Sequence, residues 1–309
     1  MQGLEVISSG LMTTVQDLGR TGWTQIGVPV SGAGDPFSAA LANVLLGKDI
    51  NSPVLECTLS GPKLKLLMNQ QIVITGARMQ LKVNNEVARH DTVIDVEAGS
   101  IIEIQSSKSG CRSCIAFSND IEATNFLGSV STYEPGKLGG LNGRALKKGD
   151  IIGFNDLDKN SIKSGQGVSP RFDNSWIIRV TDGPEFNRLS SNAKDSIENL
   201  EYIISNDSNR MGIRLEGPSL AINESGQMIS GPVFTGTIQC PEKGLPILLG
   251  PDAQTLGGYP RILQVAKVDR TLIGQMRPGD QLTFQRISVE EAEKLWLNMA
   301  SSFPFLSKI

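Results

Sequence analysis

The sequence has very few of the residues on which metal sites and nucleophilic catalysis usually depend. It contains a single histidine, His90, and four cysteines among 309 residues. One histidine leaves little room for a histidine-ligated metal or a Ser-His-Asp triad, and His90, in a polar stretch, is predicted to lie at the surface. Cys111 and Cys114 have CxxC spacing, but no second CxxC supplies the remaining ligands of a zinc site. We expect reduced thiols without a metal-binding role.

Nucleotide and biotin motifs are also missing. Neither the phosphate-binding loop GxxxxGK(S/T) nor the dinucleotide-binding GxGxxG fingerprint occurs in the sequence. The Met-Lys-Met tripeptide of the kind that carries biotin is absent as well, so this chain has no biotin attachment site. If the function of this protein involves ATP or biotin, we therefore expect a partner protein to bind the nucleotide or to carry the biotin.

Charge and hydropathy argue against two classes of partner. The formal net charge is -3 and the isoelectric point is about 5.4, with lysines and arginines scattered rather than blocked, so no basic face is offered to nucleic acid. No run approaches the ~20 apolar residues needed to span a bilayer, and the N-terminus lacks a basic region followed by an apolar core. These features predict a cytoplasmic protein that binds neither nucleic acid nor membrane.

Turn-forming residues are abundant, with 33 glycines and 15 prolines, whereas helical periodicity occurs in few places. This composition favours a mainly β class with many short strands, and strands are predicted at 71–75, 92–96, 100–104, 176–180, 246–249 and 261–265. One helix is predicted after the N-cap Asp35, ending at Gly47, and a second after Ser288, which forms a capping box with Glu291. The predicted buried face of the second helix consists of Val289, Ala292, Leu295, Trp296 and Met299.

Two short patterns recur in the same order in both halves of the chain. Residues 59–64 (LSGPKL) are echoed by 215–220 (LEGPSL), and 148–151 (KGDI) by 278–282 (PGDQL). We interpret them as the trace of two related β-domains, with the boundary in a polar stretch between 156 and 174. The predicted domains are residues 1–165 and 166–309. A coincidence between common turn sequences is the alternative.

Polar groups are concentrated between turn formers and short strands in the segment 235–261. A glycine pair there would let the backbone approach a ligand closely, and the neighbouring side chains offer both donors and acceptors. Such a segment is typical of a binding wall, and a solvent-facing hairpin with ordinary turn residues is the alternative. The polar residues concerned are Gln239, Asp252, Gln254, Thr255 and Tyr259.

Six motif segments together resemble one protein family. They are 15–20 (VQDLGR), 27–35 (GVPVSGAGD), 127–132 (LGSVST), 139–144 (GGLNGR), 210–218 (RMGIRLEGP) and 252–261 (DAQTLGGYPR). In this order and spacing they resemble the allophanate hydrolase subunit 2 family, also called the biotin-dependent carboxyltransferase family. Its best-defined member type is the C subunit of the bacterial ATP-dependent 5-oxoprolinase, the KipA-like protein. The resemblance runs from about Val6 to about Ala292.

The resemblance implies a fold and a function. It implies cyclophilin-like, mainly antiparallel β-barrels with a few short helices, and work as one subunit of a complex that acts on the amide of a small molecule. The first hypothesis is an ATP-dependent amide-cleaving complex resembling 5-oxoprolinase, which opens 5-oxoproline to glutamate, or a related carboxyltransferase or urea-amide hydrolase. ATP would be a co-substrate of the complex, and the implied partners are an allophanate hydrolase subunit 1 (KipI-like) protein and a third oxoprolinase subunit. The alternative is a non-catalytic regulatory protein of the KipA type that binds a KipI-like partner.

The polar residues of the motif segments suit a small anionic substrate that bears an amide. The planar fork of arginine matches a carboxylate, although each arginine could instead form a structural ion pair, as we expect for Arg214. Asp17 and Asp252 are the acid/base candidates, and Gln254 is the third predicted catalytic residue. The predicted substrate-binding residues are Gln16, Arg20, Ser31, Asp35, Arg144, Arg210, Gln239, Thr255 and Tyr259.

Some positions have two open roles or depart from the family pattern. Asp35 is either simply a helix cap or part of an anion site at the helix N-terminus, and Glu56, a carboxylate inside an apolar strand, is either partnered or functional. The family usually has an arginine where this chain has Ala253, and another where it has Val130. If those arginines hold the anionic group of the substrate, these departures indicate a different substrate or a loss of activity.

Overall fold

The computed structural model describes residues 3–155, 167–223 and 228–308. The chain forms two compact units. The first unit extends to Arg20 and resumes from Ser31 to Phe172, and the second contains Thr21–Val30 and Asp173–Lys308. The predicted domain boundary between residues 165 and 166 lies outside the described residues.

The strands of the first unit form two antiparallel sheets. They are β1 (Gly3–Ser8), β2 (Met12–Gln16), β3 (Val54–Thr58), β4 (Lys63–Leu66), β5 (Gln70–Gly76), β6 (Met79–Val83), β7 (Glu86–Val87), β8 (Ile94–Val96), β9 (Ile101–Ser107), β10 (Arg112–Phe117), β11 (Asp120–Ile121) and β12 (Ile151–Asn155). One sheet has the strand order β11-β12-β1-β4-β9-β6-β7, and the other has the order β2-β3-β10-β5-β8. The predicted strand at 71–75 is confirmed within β5, and those at 92–96 and 100–104 overlap β8 and β9, which begin at Ile94 and Ile101.

The core of the first unit is made of side chains from both sheets. In β4 the sequence alternates lysine with leucine, and only Leu64 and Leu66 are buried, because successive side chains of a strand point to opposite faces. They join one apolar cluster with Val6 of β1 and with Leu55 and Ile115 of the other sheet. Burial of these apolar side chains is the main stabilising contribution to the unit.

Helix α1 (Pro36–Leu45) packs on β5 and β10. It begins as the sequence predicts, with Asp35 as N-cap accepting a hydrogen bond from the Ser38 N–H at 3.0 Å and Pro36 in the first turn. It ends before Gly47, whose φ of 68° is a conformation that glycine adopts without strain. The helix prediction is confirmed, and its apolar stripe is buried except at Val44, which is partly exposed.

The second unit contains a closed barrel. Its strands are β13 (Ser175–Asp182), β14 (Tyr202–Ile204), β15 (Gly212–Glu216), β16 (Gly231–Pro232), β17 (Thr237–Gln239), β18 (Ile247–Leu249), β19 (Leu256–Gly257), β20 (Arg261–Val265) and β21 (Gln281–Arg286). The barrel order is β13-β20-β17-β18-β15-β14-β21, and β16 pairs separately with β19. Barrel neighbours are antiparallel except β13 and β21, which run parallel. The mainly β prediction is confirmed, as are the strands at 176–180, 246–249 and 261–265.

The helices of the second unit are short except at the C-terminus. They are α2 (Ser191–Ser196), α3 (Val289–Ser302) and the 3-10 helices Thr24–Ile26, Phe186–Arg188, Ile197–Asn199, Lys267–Gln275 and Pro304–Lys308. The start of α3 is confirmed, because the Ser288 hydroxyl accepts from the Glu291 N–H at 3.1 Å. Its predicted buried face is wrong, since Val289 is 67% exposed and the other four residues are only half-buried. The helix contacts β13 and two 3-10 helices, which cover its apolar side incompletely.

The predicted internal repeat appears as a turn of matching geometry in each unit. In the first unit Gly149, with φ of 88°, donates its N–H to the Val6 carbonyl at 2.8 Å. The next residue, Asp150, accepts from the Lys147 N–H at 2.7 Å through its carboxylate, and its own carbonyl accepts from the Val6 N–H at 2.9 Å. A glycine in the left-handed region followed by an aspartate therefore leads the chain into β12.

The corresponding turn of the second unit leads into β21. Gly279, also with φ of 88°, donates to the Ile204 carbonyl at 2.8 Å. The Asp280 carboxylate accepts from the Arg277 N–H at 3.0 Å, and its carbonyl accepts from the Ile204 N–H at 2.9 Å. The second of the two repeated patterns therefore forms the same turn, with the same backbone conformation, in both units. That the two β-domains are related stays a prediction.

His90 does not lie at the surface as predicted. Its ring is half-buried and hydrogen-bonded through Nε2 to the Met79 carbonyl at 2.6 Å, and burial lowers its pKa. All four cysteines are buried free thiols. Within the described part of the chain, no helix is long and apolar enough to cross a membrane.

Candidate functional site

Motif segments that are distant in sequence meet in the first unit at the end of β2. The loop before α1 joins this place through the Ala33 N–H, which donates to the Asp17 carbonyl at 2.8 Å. The LGSVST segment joins it through the Thr132 N–H, which donates to the Val15 carbonyl at 3.0 Å. Three of the motifs that carry the family resemblance thus form one polar cluster, which we call the first cluster.

Asp17 is the centre of the first cluster. Its Oδ1 accepts from the Gly19 N–H at 2.7 Å and from the hydroxyls of Ser129 at 2.6 Å and Ser131 at 2.5 Å. Its Oδ2 accepts from the Val130 N–H at 2.8 Å. These donors come from the chain itself, so the buried carboxylate orders the LGSVST segment against the end of β2. Its acid/base role stays a prediction.

Arg20 lies among main-chain carbonyls of the same cluster. The buried guanidinium donates through Nη2 to the Ser131 carbonyl and through Nε to the Phe126 carbonyl at 3.4 Å. The GGLNGR motif closes over it, because a Cβ at Gly139 would lie 2.2 Å from the Ser131 carbonyl oxygen and 3.0 Å from Arg20 Nη2. Glycine at 139 is therefore required for the cluster to close.

Gln16 and Ser31 each bring a buried polar atom that has no hydrogen-bond partner in the part of the chain that the structure describes. Gln16 donates through Nε2 to the Thr14 hydroxyl at 3.0 Å and to the Thr132 carbonyl at 3.2 Å. Among the described residues, nothing forms a hydrogen bond with Gln16 Oε1 or with the Ser31 hydroxyl. Buried polar atoms of this kind usually bind an ordered water or a ligand group, so both residues keep their predicted binding role as a hypothesis.

The N-terminus of α1 already carries two carboxylates. Asp35 caps the helix as described above, and Glu56 Oε2 accepts from the Gly34 N–H at 2.5 Å. Arg112 Nε lies 3.6 Å from Glu56 Oε1, so Glu56 is partnered. The chain's own carboxylates thus stand where an external anion would bind, which supports the capping role of Asp35.

Arg144 forms a structural ion pair. Its Nη1 and Nη2 lie 2.8 Å and 2.9 Å from the two oxygens of Asp150. The Arg144 guanidinium lowers the pKa of the Asp150 carboxyl, and the pair reinforces the turn before β12. The fork predicted to bind substrate is therefore occupied by Asp150.

In the second unit Arg210 forms an ion pair with Asp252, the first residue of the DAQTLGGYPR segment. Both side chains are buried, and Arg210 Nε and Nη2 lie 2.7 Å and 3.1 Å from the two carboxylate oxygens. The Asp252 N–H also donates to the Arg210 carbonyl at 3.1 Å. The structure brings these two predicted residues into direct contact, and their roles in catalysis and substrate binding stay predictions.

Gln239 anchors a second group of predicted residues in this unit. We call Gln239, Gln254, Thr255 and Tyr259 the second cluster. Its buried amide donates through Nε2 to the Tyr259 carbonyl at 3.1 Å and accepts through Oε1 from Gln254 Nε2 at 3.3 Å. Gln254 and Tyr259 are exposed, so the buried amide is linked to polar groups that solvent reaches. Thr255 lies in the same loop, where its carbonyl accepts from the Val233 N–H at 3.0 Å.

Ala253 and Val130 occupy apolar surroundings. Ala253 is buried in a small cluster with Val233 and Leu249. The Val130 side chain packs against the core of the first unit, while its N–H holds Asp17. The two positions at which the family resemblance implies arginine therefore contribute packing in this chain.

A cleft of about 740 Å³ opens on the second unit beside Tyr259. Its lining includes apolar side chains such as Leu245 and Ile247, and charged side chains of both signs, among them Arg214 and Lys243. The volume lies within the usual range of small-molecule sites. The sequence gives no signal for Lys243, which belongs to no motif. It predicts a structural role for Arg214, whose side chain is exposed at this cleft.

Among the described residues, no group of three or more histidine, cysteine, aspartate or glutamate side chains is arranged to hold a metal ion. The chemistry of both clusters depends on carboxylates, amides, hydroxyls and guanidinium groups.

Comparison with known proteins assigns the chain to a family. The family described as carboxyltransferase domain, subdomain A and B, matches residues 26–286. The chain belongs to this carboxyltransferase family. The resemblance inferred from the motif segments is thereby confirmed.

Relatives of this carboxyltransferase-family chain fall into two groups. It is 33% identical to the C subunit of 5-oxoprolinase from Escherichia coli K12, over 94% of this chain and 93% of the relative. It is 31% identical to urea amidolyase of Saccharomyces cerevisiae over 94% of this chain, but it spans only 17% of that much longer protein. The crystal structure of the K. lactis urea amidolyase superimposes with a TM-score of 0.90 at 30% identity, covering 98% of this chain and 20% of that one.

Proposed function

We propose that this chain is the carboxyltransferase-type subunit of an ATP-dependent amide-cleaving complex. The observation that carries the proposal is its likeness to the C subunit of 5-oxoprolinase, which extends over 94% of this chain and 93% of the relative. A match over nearly the whole of both chains favours an equivalent subunit over a shared module. The urea amidolyase relatives favour the same chemistry, since urea is also a small amide.

The proposed substrate is a small anionic amide, with 5-oxoproline as the first candidate. A carboxamide side chain offers one acceptor and two donors, which matches the complementary groups of a substrate amide. We assign this role to Gln239 and Gln254, whose amides are already linked, and place the body of the substrate in the cleft beside Tyr259.

Asp17 and Asp252 are retained as acid/base candidates. All the hydrogen bonds described above to these two carboxylates come from the chain itself. For either residue to transfer a proton, one carboxylate oxygen must lose a present hydrogen-bond donor and contact the substrate instead. Asp252 needs to exchange only the Arg210 fork, whereas Asp17 is held by donors from several residues. Asp252 is therefore the stronger candidate of the two.

The proposed partners are a KipI-like subunit 1 and a third oxoprolinase subunit. Since the sequence has no phosphate-binding loop, we place the ATP site on a partner. The relative is itself named as one subunit of 5-oxoprolinase, which supports an assembly of this type.

The decisive experiment mixes this chain with its two proposed partners and measures ATP hydrolysis and glutamate release from 5-oxoproline. Activity that requires this chain is expected. Gln254→Ala should lower the rate in the assembled complex, whereas Gln285→Ala, at an exposed position of β21, should not. A stable complex without turnover of 5-oxoproline would contradict the proposed substrate, and failure to assemble would contradict the subunit role.

A second candidate function is a regulatory role, in which the chain binds a KipI-like partner without turnover. The observation that favours it is the apolar packing of Ala253 and Val130, where most of the family has arginine. Restoring an arginine by Ala253→Arg would place a cation among Val233 and Leu249, at a cost in stability. Binding of the KipI-like protein with no turnover of any amide tested would support this candidate.

A further inference from the structure

A pair of cations lies on one side of the 3-10 helix Lys267–Gln275 in the second unit. Residues three apart in a 3-10 helix project in the same direction, so Lys267 and Arg270 point the same way. Asp269, which lies between them, projects elsewhere and accepts from the Arg179 N–H at 2.8 Å and from Arg179 Nε at 2.9 Å. The carboxylate next to the cations in sequence is therefore engaged by another arginine.

Arg270 differs from four other arginines of this unit in how its Nε is used. Among the described residues, no acceptor lies within hydrogen-bond reach of the buried Nε of Arg270, and no ion pair includes this residue. Four arginines of the same unit instead each bind a carboxylate through Nε and Nη2; they are Arg179, Arg210, Arg261 and Arg286. Within the described ranges, the Nε of Arg270 is thus left without an acceptor.

Trp296 of α3 fixes the position of the second cation. Lys267 Nζ lies 4.1 Å from the centroid of the Trp296 ring, a distance typical of a cation–π contact. Burial lowers the pKa of Lys267, and the nearby charge of Arg270 lowers it further; burial also lowers the pKa of Arg270. The guanidinium of Arg270 is thus partly out of water with a second cation nearby, an arrangement that an anion bound to Arg270 would stabilise.

We propose that Lys267 and Arg270 form a binding site for a small oxyanion, either a phosphate or a carboxylate, with Trp296 holding Lys267 in place. The planar fork of Arg270 binds two oxygens of such a group, and its unused Nε gains an acceptor. Lys267, which is exposed, adds an ammonium donor from the same side. The site uses no residue of either polar cluster, and it is independent of the proposed function.

The test compares the thermal stability of the full chain in sodium phosphate and in sodium chloride of equal ionic strength. Without phosphate, Arg270→Met should be at least as stable as the wild type, because it keeps an apolar stem and removes a partly buried cation without a partner. Phosphate should raise the melting temperature of the wild type and not that of the variant, whose affinity we expect to fall roughly tenfold or more. Arg89→Met, at an exposed arginine that belongs to no motif segment, is the control and should respond as the wild type does.

A second arm uses succinate at the same ionic strength, with Trp296 fluorescence as an additional readout of binding. A response to succinate alone, lost in Arg270→Met, identifies a carboxylate as the ligand, whereas a response to phosphate alone identifies a phosphate. Arg270→Lys should respond weakly, because it keeps the charge but loses the fork. Equal responses in the wild type and in Arg270→Met, or no response to either anion, would overturn the proposal.

Discussion

Arg210 and Asp252, 42 positions apart in the sequence, form an ion pair in which two hydrogen bonds of 2.7 Å and 3.1 Å join the buried guanidinium and carboxylate. The pair connects the start of the RMGIRLEGP segment to the start of DAQTLGGYPR. The sequence predicts that both motifs contact the substrate. The structure shows that Arg210 of one motif binds Asp252 of the other.

Breaking this pair should be costly. Arg210→Ala would leave the Asp252 carboxylate buried without its partner, and we expect the free energy of unfolding to fall by roughly 3–5 kcal/mol. Urea denaturation measures the change. Arg214→Ala, at an exposed position of β15, should alter stability by no more than about 0.5 kcal/mol. Equal effects of the two substitutions would show that the pair does not stabilise the fold.

Removing the Asp17 carboxylate should loosen the LGSVST segment. In Asp17→Ala, the donors from Gly19, Ser129, Val130 and Ser131 lose their acceptor, so we expect a loss of about 3 kcal/mol or more. Hydrogen exchange should become faster at the Val130 amide.

The control for this prediction is Asp95→Ala, which removes an exposed carboxylate of β8 that accepts one hydrogen bond from Gln71. Its effect should stay below about 1 kcal/mol. Unchanged protection of the Val130 amide in Asp17→Ala would contradict the ordering role of Asp17.

Adding a methyl group at Gly257 should disturb the second cluster. A Cβ there would lie 2.4 Å from Gln239 Nε2, so Gly257→Ala must displace the amide that we assign to substrate orientation. We expect turnover by the assembled complex to fall about tenfold or more. Gly258→Ala is the matched control, because the nearest atom to its Cβ would be the Ser230 hydroxyl oxygen at 3.6 Å. Equal rates for the two variants would remove Gln239 from the proposed site.

Acid should weaken the ion pair between Glu185 and Arg261. Hydrogen bonds from Arg261 hold the pKa of Glu185 below its usual value of 4.5. Because the folded pKa is the lower one, the stabilisation is fully present above 4.5 and is lost as pH falls through the folded pKa. Stability measured by urea denaturation from about pH 6 to about pH 3 should therefore decline more steeply in the wild type than in Glu185→Gln. Parallel pH profiles would contradict this assignment.

Elements with a strong local signal were predicted well. The N-cap and proline at the start of α1, the Ser288 and Glu291 box at the start of α3, and the apolar β-branched runs of β5 and β20 depend on contacts within a few residues. The Gly-Asp turn was also recognisable, because its left-handed glycine leaves a mark in the sequence.

Burial was predicted less well, since it depends on what packs against an element. The apolar stripe of α3 has the spacing of a buried face, yet the neighbouring elements cover it only in part. His90 shows the opposite error, because the Met79 carbonyl that binds its ring is 11 positions away and cannot be inferred from the polar residues beside it.

The sequence by itself determined the class of fold, the order of the motif segments and the family, because turn residues, strand periodicity and motif spacing are local properties of the chain. Only the tertiary structure decided what each polar residue binds. Arg144 and Arg210 are equally plausible carboxylate ligands in the sequence, and each proves to bind a carboxylate of its own chain. Arg270, which is in no motif, has an Nε without an acceptor among the residues that the structure describes, and the neighbouring carboxylate of Asp269 binds Arg179 instead. A side chain's partner is set by which strands and loops the fold brings together, and that information is spread over the whole chain.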